Sequence, residues 1–504
     1  MKHLLNYWEN KPLSLLLWLA VFLRIISVIF AKGWGMHDDH FLVIEASQSW
    51  VDGTDYNHWL PGNLANNPPQ GHSWFYVGIH YFIFSFLKLI HLNDPQLKMY
   101  VIRLIHAVFS LITVWLGYKV TEKLSNKKTA AFTGLLLAVY WFMPWFSVRN
   151  LVEVVCIPPL LGGIWIILNA SKKKHVLAVY IWAGFIIGLA FSIRFQTLIF
   201  ASGIGLALLL QKKIKEGFAY GFGLVISIIL IQGIIDLIIW GYPFAELQEY
   251  IRYNIENATN YITLAWYTYI MLLLALLIPP VSFFMIFGFF RTWKKHLLIF
   301  LPTLIFLMFH SYFPNKQERF IFPIIPFIII LGMIGWESFR QNSNFWKKRK
   351  ILLRYCWIFF WVINLSLLPV ISTMYSKRAR TESMTYLSQY SDIEAIIIED
   401  VNRSSVKMPA LYYLGQWIHP YELTKLKSVD SLSVEIAKNG NYPDFVLFIE
   451  EKDLDQRVEN MKILFPKLEY ETLIEPGFVD KVLYRMNPRN ANQTVHIYAT
   501  HIND

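Results

Sequence analysis

The fold class this chain predicts is a polytopic α-helical membrane protein, mainly α, carrying a small α/β domain at its C-terminal end. Three observations lead there. The residues are 55% hydrophobic and 17% aromatic but only 16% charged, with a mean hydropathy of +0.39. Apolar runs recur as far as residue 372, each about 20 residues long, enough to cross a hydrocarbon core roughly 30 Å thick. After Thr373 the composition turns to that of an ordinary water-soluble domain. Lipid cannot satisfy open backbone groups, so the runs read as helices; barrel strands would alternate with period two, and these do not.

The runs at 12–31, 98–120, 129–147, 151–170, 176–193, 196–210, 218–241, 265–290, 297–313, 320–338 and 351–372 read as eleven spans. The first lacks a small-residue cleavage pattern and is expected to anchor the chain rather than to be removed. The run at 73–92 reads instead as a helix lying along the membrane surface, with its aromatics and His72, His80 and Lys88 suited to an interface. Cys156 and Cys356 sit in or beside apolar segments, which implies packing rather than a disulfide framework or a zinc site.

A formal net charge of +11 raises nucleic acid as a partner, but its distribution speaks against that. The basic residues gather in short gaps between apolar runs, at 121–128, 171–175, 211–216, 291–296 and 345–350. Two runs separate each consecutive pair of gaps, so all five fall on one side, which positive-inside bias makes cytoplasmic. The loop from Lys32 to His72, with Asp38, Asp39, Glu45, Asp52 and Asp55 against one lysine, then faces outward. So do SVRNLVE (147–153), IRFQT (193–197), EYIRYNIENATNYITLAWYTYI (249–270) and FPNKQERFIFPIIP (313–326). Each polar group near lipid costs a few kcal/mol, roughly, so their gathering at the ends of separated helices on one face predicts a site assembled from several loops.

The residues of those loops carry a family resemblance. HDDHF (37–41) resembles the H-P-D-E segment, NKQERFIFPIIP (315–326) the H-K-E-E-R-F-x-x-P-x-x-P motif, and YIRYNIENATNYITLAWYTYI (250–270) the Y-N…Y-G-x-x-x-W-Y-x-Y region of glycosyltransferase family 22. Those enzymes are the dolichyl-phosphate-mannose-dependent mannosyltransferases of N-glycan and GPI assembly, with the GT-C fold. The order of the motifs, with the RNLVE turn and RFQT between them, is kept over most of residues 12–340. The departures are Asp38 in place of proline, His40 in place of glutamate, Asn315 in place of histidine and Ile262 in place of glycine. With the Ile-, Lys- and Asn-rich composition, they point to a divergent bacterial member.

The resemblance implies an inverting transfer of a hexose, mannose by family, from a polyprenyl-phosphate-linked donor to a glycan or glycolipid acceptor. The base falls on Asp39, with Asp38 beside it as the fallback. Lys316, Arg319 and Arg194 are the expected cations for the donor phosphate, and His37, Glu318, Tyr253, Asn254, Trp266, Tyr267, Arg149 and Glu153 the expected substrate-binding residues. The chemistry wants these types: a hydroxyl nucleophile needs a carboxylate to take its proton, and a phosphodiester leaving as a monoester gains charge that cations stabilise. Phosphate leaves readily, so neither a general acid nor a metal is expected, although His37, Asp38 and Asp39 are types that a metal also takes. Asp38 and Asp39 are equally residues that cap helices, Arg149 and Glu153 are spaced to pair on one helix turn, and the aromatics suit an interfacial belt.

The expected organisation is a membrane glycosyltransferase domain over 1–373, with an extracytoplasmic catalytic loop at 32–97, and an extracytoplasmic α/β domain over 374–504. In the latter, DIEAIIIED and DFVLFIEE read as strands and MPALYYLGQ and SVDSLSVEIAKNG as helices. SKRAR (376–380) is basic on the side where positive-inside bias disfavours it. The setting is a bacterial inner membrane with the site facing outward, or an endoplasmic reticulum membrane with a lumenal site. The competing classes are an O-antigen polymerase or ligase, which would consume a diphosphate-linked glycan, and a flippase for a lipid-linked glycan, which would show repeated halves and mid-membrane charges. No nucleic-acid partner is expected, and nothing in the chain fixes an oligomeric state.

Overall fold

The structure, a computed structural model, describes residues 8–61, 68–261, 263–487 and 494–501. Part of the loop from Lys32 to His72, the glycine-replacing position 262, and short stretches of the C-terminal domain lie outside them. The chain divides into two units, Met1–Ile29 with His58–Ile79 and Ile102–Thr373, and Phe30–Asn57 with His80–Val101 and Met374–Asp504.

Among the described residues, six helices are long and apolar enough to cross a membrane: Pro12–Phe30, Pro95–Leu124, Val176–Ile193, Ile214–Trp240, Glu318–Asn342 and Lys350–Ser372. Thr268–Leu276 and Val281–Arg291, bent by 120° at the break between them, pass the same test only when taken together, as a broken span or a re-entrant loop. The other four expected spans correspond to shorter helices, Lys127–Val139, Val152–Leu168, Thr197–Leu210 and Leu297–Tyr312. The count of eleven full spans is therefore not confirmed; length and composition support six or seven. Trp74–Leu89 is helical as expected.

In the first unit, Glu318–Asn342 is the most enclosed helix, with 89% of its apolar window buried, whereas Lys350–Ser372, at 17%, presents most of its surface outward. Close backbone approach explains the difference. Gly332 and Gly335 lie against Gly288 of Val281–Arg291, where a Cβ on any of them would strike the facing backbone. Val176–Ile193 and Ile214–Ile228 use the same device, Gly184 and Gly223 each meeting the other helix's backbone. Where hydrophobicity gives no preference for helix over lipid, such small-residue contacts hold helices together by dispersion.

A second device in this unit fixes the chain entering Trp74–Leu89. Glu246, fully buried, accepts hydrogen bonds at Oε2 from the Gly71 and His72 amides at 2.6 and 3.1 Å. Its own amide donates to Asp236 Oδ2 at 3.2 Å, and Asp236 Oδ1 accepts from Gln232 Nε2 at 2.8 Å. Burial raises the Glu246 carboxyl from its ordinary 4.5 to about 7, against the lowering effect of the backbone amides. The folded protein thus holds a proton that the unfolded chain has released, so stability falls as pH rises from about 4.5 to about 7. Glu246→Gln keeps an acceptor and removes the titration, so unfolding temperatures in detergent should decline with pH between roughly 5 and 8 in the parent and much less in the variant. Parallel curves would show that Glu246 does not control this stability.

The second unit is built on a five-stranded sheet of order β2-β1-β3-β5-β4. β1 (Ala395–Asp400) pairs in parallel with β2 (His419–Thr424) and β3 (Pro443–Ile449); β5 (Val495–Ala499) runs antiparallel between β3 and β4 (Glu469–Ile474). β1 and β3 are the two strands read from sequence. They are legible because central strands are apolar on both faces, and β1 is buried at every position. The strands β2, β4 and β5 are additional. β4 reads EYETLI and has no fully buried residue, so its edge position leaves little apolar signal. Both expected helices form, as Leu411–Leu414 and Val429–Asn439, the latter capped by Ser428, whose side chain accepts from the Ser431 amide. Arg457 of Leu454–Lys462 pairs with the buried carboxylate Glu399 of β1 and donates to the Ile449 carbonyl of β3 at 2.8 Å, fastening the helix to two strands.

Candidate active site

In the first unit, three segments distant in sequence carry buried cations, and two of their arginines meet one buried carboxylate. Pro158 and Pro159 open Ile157–Leu168, and the short helix before it, Val152–Val155, carries Glu153 with no exposed surface. That helix packs against Glu318–Ile324, the tight 3₁₀ segment opening the most enclosed span, and Arg319 there stands with Nε 3.5 Å from Glu153 Oε1. Arg194, just past the end of Val176–Ile193 and in extended backbone, pairs with the same oxygen. Arg194 and Arg319 also lie over the Phe320 ring, at 5.4 and 5.9 Å. Lys316 is buried, donates to the Phe313 carbonyl at 2.5 Å, and has its ammonium pKa lowered by desolvation. Arg149 is buried over the Trp145 ring at 4.4 Å, in the turn before the helix that bears Glu153.

Glu318 is exposed, whereas Glu153 is a buried carboxylate beside Arg319. Glu153 pairs with Arg194 and Arg319 of other segments, and its helix starts at Val152, past Arg149. Two polar partners escaped the sequence reading. Gln317 Oε1 accepts from Arg319 Nε at 2.9 Å, and the Gln317 carbonyl accepts from the Tyr269 hydroxyl at 3.0 Å. Tyr250 stands within electrostatic reach of Arg194, Glu153 and Arg319, and burial raises its hydroxyl to about 12 while Arg194 opposes the rise. Both lay inside the quoted motifs, but only their turn of helix or loop distinguishes them from neighbours. Tyr253, Trp266 and Tyr267 are exposed, and Asn254 donates to the Tyr250 carbonyl within its own helix. An antiparallel bridge between Thr263 and Asn315 lays the segment before Trp266 alongside the one that carries Lys316.

The second unit holds the MHDDHF segment. The chain is helical from His37 to Val51, with wide π-type turns over Asp39–Glu45. Asp38 makes no capping bond to those turns and is half-buried. Asp39 is buried, and its Oδ2 accepts from the Met36 amide at 3.0 Å, the backward bond of a capping box. The helix-capping use of this pair is therefore partly realised, by Asp39. His40 is sandwiched between Trp34 (4.3 Å between ring centroids, 12° between planes) and Tyr413 (5.4 Å, 11°). Burial lowers its pKa, and its Nε2 lies 3.3 Å from Glu45 Oε1, which also accepts from the Tyr412 amide at 3.2 Å. His37 stacks on Phe41 at 4.3 Å. Among the described residues no group of three or more His, Cys, Asp or Glu is placed to hold a metal ion.

Helices of this length around a buried cation cluster, joined to a small sheet domain, define a membrane glycosyltransferase architecture of the GT-C type. The backbone is similar to that of ArnT from Cupriavidus metallidurans bound to undecaprenyl phosphate, with a TM-score of 0.61 at 11% identity over 96% of this chain and 97% of that one. It is also similar to the archaeal oligosaccharyltransferase AglB from Archaeoglobus fulgidus in complex with an inhibitory peptide and a dolichol-phosphate, with a TM-score of 0.51 at 12% identity over 91% and 71% of the two chains. The chain belongs to the Alg9-like mannosyltransferase family, whose profile matches residues 14–413. A human relative, GPI alpha-1,2-mannosyltransferase 3, is 21% identical over 338 residues, 66% of this chain; the match spans 58% of that protein.

Removing one partner of a buried ion pair leaves an uncompensated charge, at a cost of about 3–5 kcal/mol. Glu153→Gln should therefore lower the unfolding temperature clearly, whereas Glu318→Gln should leave it within about 0.5 kcal/mol of the parent, as for exposed charges. Equal effects in thermal unfolding would remove Glu153 from its place at the centre of the cluster.

Proposed function

We propose that this protein is an inverting glycosyltransferase that moves a hexose, mannose by family, from a polyprenyl-phosphate-linked donor to a hydroxyl of a glycan or glycolipid acceptor. One observation carries the reading most directly. Arg149, Arg194, Lys316 and Arg319 are all buried in one unit, with Glu153 as the buried carboxylate facing the two arginines, and Arg194 Nε and Nη2 have no hydrogen-bond partner among the described residues. Unspent buried donors on Arg194 suit an anionic ligand, and a guanidinium fork matches phosphate oxygens.

In the step envisaged, the acceptor oxygen bonds to the anomeric carbon as the bond from that carbon to the phosphate oxygen breaks. The phosphate leaves with the electron pair, its charge approaching minus two, and Lys316, Arg319 and Arg194 stabilise the charge gained. Asp39 takes the acceptor's proton. Its Oδ2 already accepts from the Met36 amide, which holds the carboxylate in orientation. Asp38 remains the alternative base. His37, Asn254, Tyr253, Trp266, Tyr267 and Glu318 are the residues proposed to bind substrate. The reading takes the reaction without a metal, because a lipid phosphate is a good leaving group by itself.

Purified protein offered polyprenyl-phosphate-mannose and polyprenyl-diphosphate-linked sugar in parallel should transfer from the first alone. Transfer from the diphosphate would indicate a ligase or polymerase, and movement of intact lipid-linked glycan across vesicles without transfer a flippase. Asp39→Asn keeps the acceptor atom for Met36 but cannot take a proton, so turnover should fall about 10²-fold or more with donor binding retained. If Asp38→Asn is inactive and Asp39→Asn active, the base moves by one residue; activity in both removes the carboxylate mechanism.

The catalytic loop is proposed to face away from the cytoplasm, in a bacterial inner membrane, with the 374–504 domain on the same side. Thr54 and Ser125 are both exposed. Cysteine placed at Thr54 should react with a membrane-impermeant thiol reagent in intact cells, or in spheroplasts where an outer membrane intervenes, while cysteine at Ser125 should react only after permeabilisation. Labelling of Ser125 first would reverse the sidedness.

A further inference from the structure

The SKRAR segment is the one marked stretch of sequence that the proposed reaction does not use. It connects the last span to the sheet domain, and its structure is unusual electrostatically. Helix Arg378–Leu387 starts after Lys377, which adopts left-handed backbone at φ 56°. The helix has no acidic residue in its first turn and no side-chain cap, while Lys377, Arg378 and Arg380 crowd its N-terminus. That is the positive end of the helix dipole, where cations are unfavourable and anions favoured. On the proposed topology the run also opposes positive-inside bias. Two costs in one place call for compensation.

The surroundings concentrate the charge further. Arg380 lies over the rings of Trp34 and Phe41, at 5.0 and 5.6 Å, and donates through Nη2 to the Met408 carbonyl, next to Lys407. Its Nε is buried with no hydrogen-bond partner among the described residues. Ser376 ties the segment to the loop before Asp39, its amide donating to the Lys32 carbonyl at 3.2 Å and its Oγ to the Trp34 carbonyl at 2.5 Å. Lys407 is exposed, and partial desolvation first, then the charges of Lys377, Arg380 and Arg403, bring its ammonium down to about 8, opposed by Asp400. Asp480 is the nearby counter-charge, accepting from the Lys377 amide at 3.2 Å. Lys377, Arg380, Arg403 and Lys407 stand against Glu450, which pairs with Arg403, Asp400, which Arg403 approaches at 3.9 Å, Asp480, and Glu45, whose charge acts on Arg380. Arg403 is therefore spent on carboxylates, and Lys377, Arg380 and Lys407 are the cations left for a ligand.

We infer that Lys377, Arg380 and Lys407 form a binding site for a phosphate-type anion carried by the acceptor, held on the same unit as the MHDDHF segment. The assignment to the acceptor rests on the proposed transferase reading; the anion site itself does not. Arg380, fixed by two aromatic faces and a carbonyl, supplies a preorganised fork, and the two lysines supply point charges on adjoining segments.

Pyridoxal phosphate tests this without any turnover. Its aldehyde condenses with a neutral amine, losing water, and borohydride reduces the imine to a stable mark that mass spectrometry locates. In the full chain in phosphatidylcholine nanodiscs, Lys407 should be modified about tenfold faster by pyridoxal phosphate than by pyridoxal, as one charge-assisted contact would give. Inorganic pyrophosphate should suppress the modification. Suppression also by nanodiscs containing phosphatidic acid would assign the phosphate to a lipid headgroup, and its absence there to a water-exposed part of the acceptor. Lys377→Gln, at an exposed position, and Arg380→Gln should each erase the preference for the phosphate-bearing reagent while leaving labelling by pyridoxal intact. Equal rates with the two reagents, or no suppression by pyrophosphate, would overturn the site. Suppression by polyprenyl phosphate at lower concentration than by pyrophosphate would overturn its assignment to the acceptor. So would a phosphate preference at Lys407 in a protein that transfers sugar from no polyprenyl donor.

Discussion

Glu153 is the constraint on which the first unit's polar interior depends. Two guanidinium groups, Arg194 and Arg319, are held out of water at the ends of different spans, and each would cost several kcal/mol, roughly, if left without a counter-charge. A single carboxylate oxygen on a third segment serves both. The arrangement works only because Val152–Val155 packs on the tight segment Glu318–Ile324 and because Arg194 leaves its helix in extended backbone. Glu153 thus joins two spans through their arginines, and the same oxygen that meets Arg194 also lies 3.5 Å from Arg319 Nε. Glu246 does the comparable service for the backbone at Gly71 and His72, with amides as partners instead of cations.

The second unit achieves order around MHDDHF by different means. Here the fixing force is aromatic: His40 between Trp34 and Tyr413, His37 on Phe41, and Arg380 over Trp34 and Phe41. Rings exclude water from the histidine and keep its imidazole neutral, while Glu45 binds both that ring and the Tyr412 amide. The residues from 374 onward are therefore structural partners of the loop as well as a sheet domain. The unit that holds the sheet domain also draws in residues 30–57 and 80–101.

Legibility followed the range of the forces involved. Apolar runs and basic gaps are local properties, so membrane character, helical class and the two central strands were readable from composition and periodicity. The span count was less so, because helices of 13 to 17 residues such as Lys127–Val139 and Leu297–Tyr312, and a pair bent by 120°, carry the same hydropathy as full spans. Motif spacing marked Lys316, Arg319, Arg194 and Glu153 as unusual charges, but spacing carries no information about the meeting of Glu153 with Arg194 and Arg319, which belong to other segments.

By itself, then, the sequence determined that this is a helical membrane protein with a small α/β appendage, and which loops hold its unusual charges, because hydrophobic length and charge distribution are set residue by residue. Only the tertiary structure decided that Glu153 joins Arg194 to Arg319, that Tyr250 reaches the cluster while Trp266 and Tyr267 stay exposed, and that SKRAR lies against Trp34 and Phe41. Those are contacts between segments from 41 to more than 300 residues apart. A local pattern cannot encode them, because the free energy that selects them is packing and desolvation shared among many helices at once.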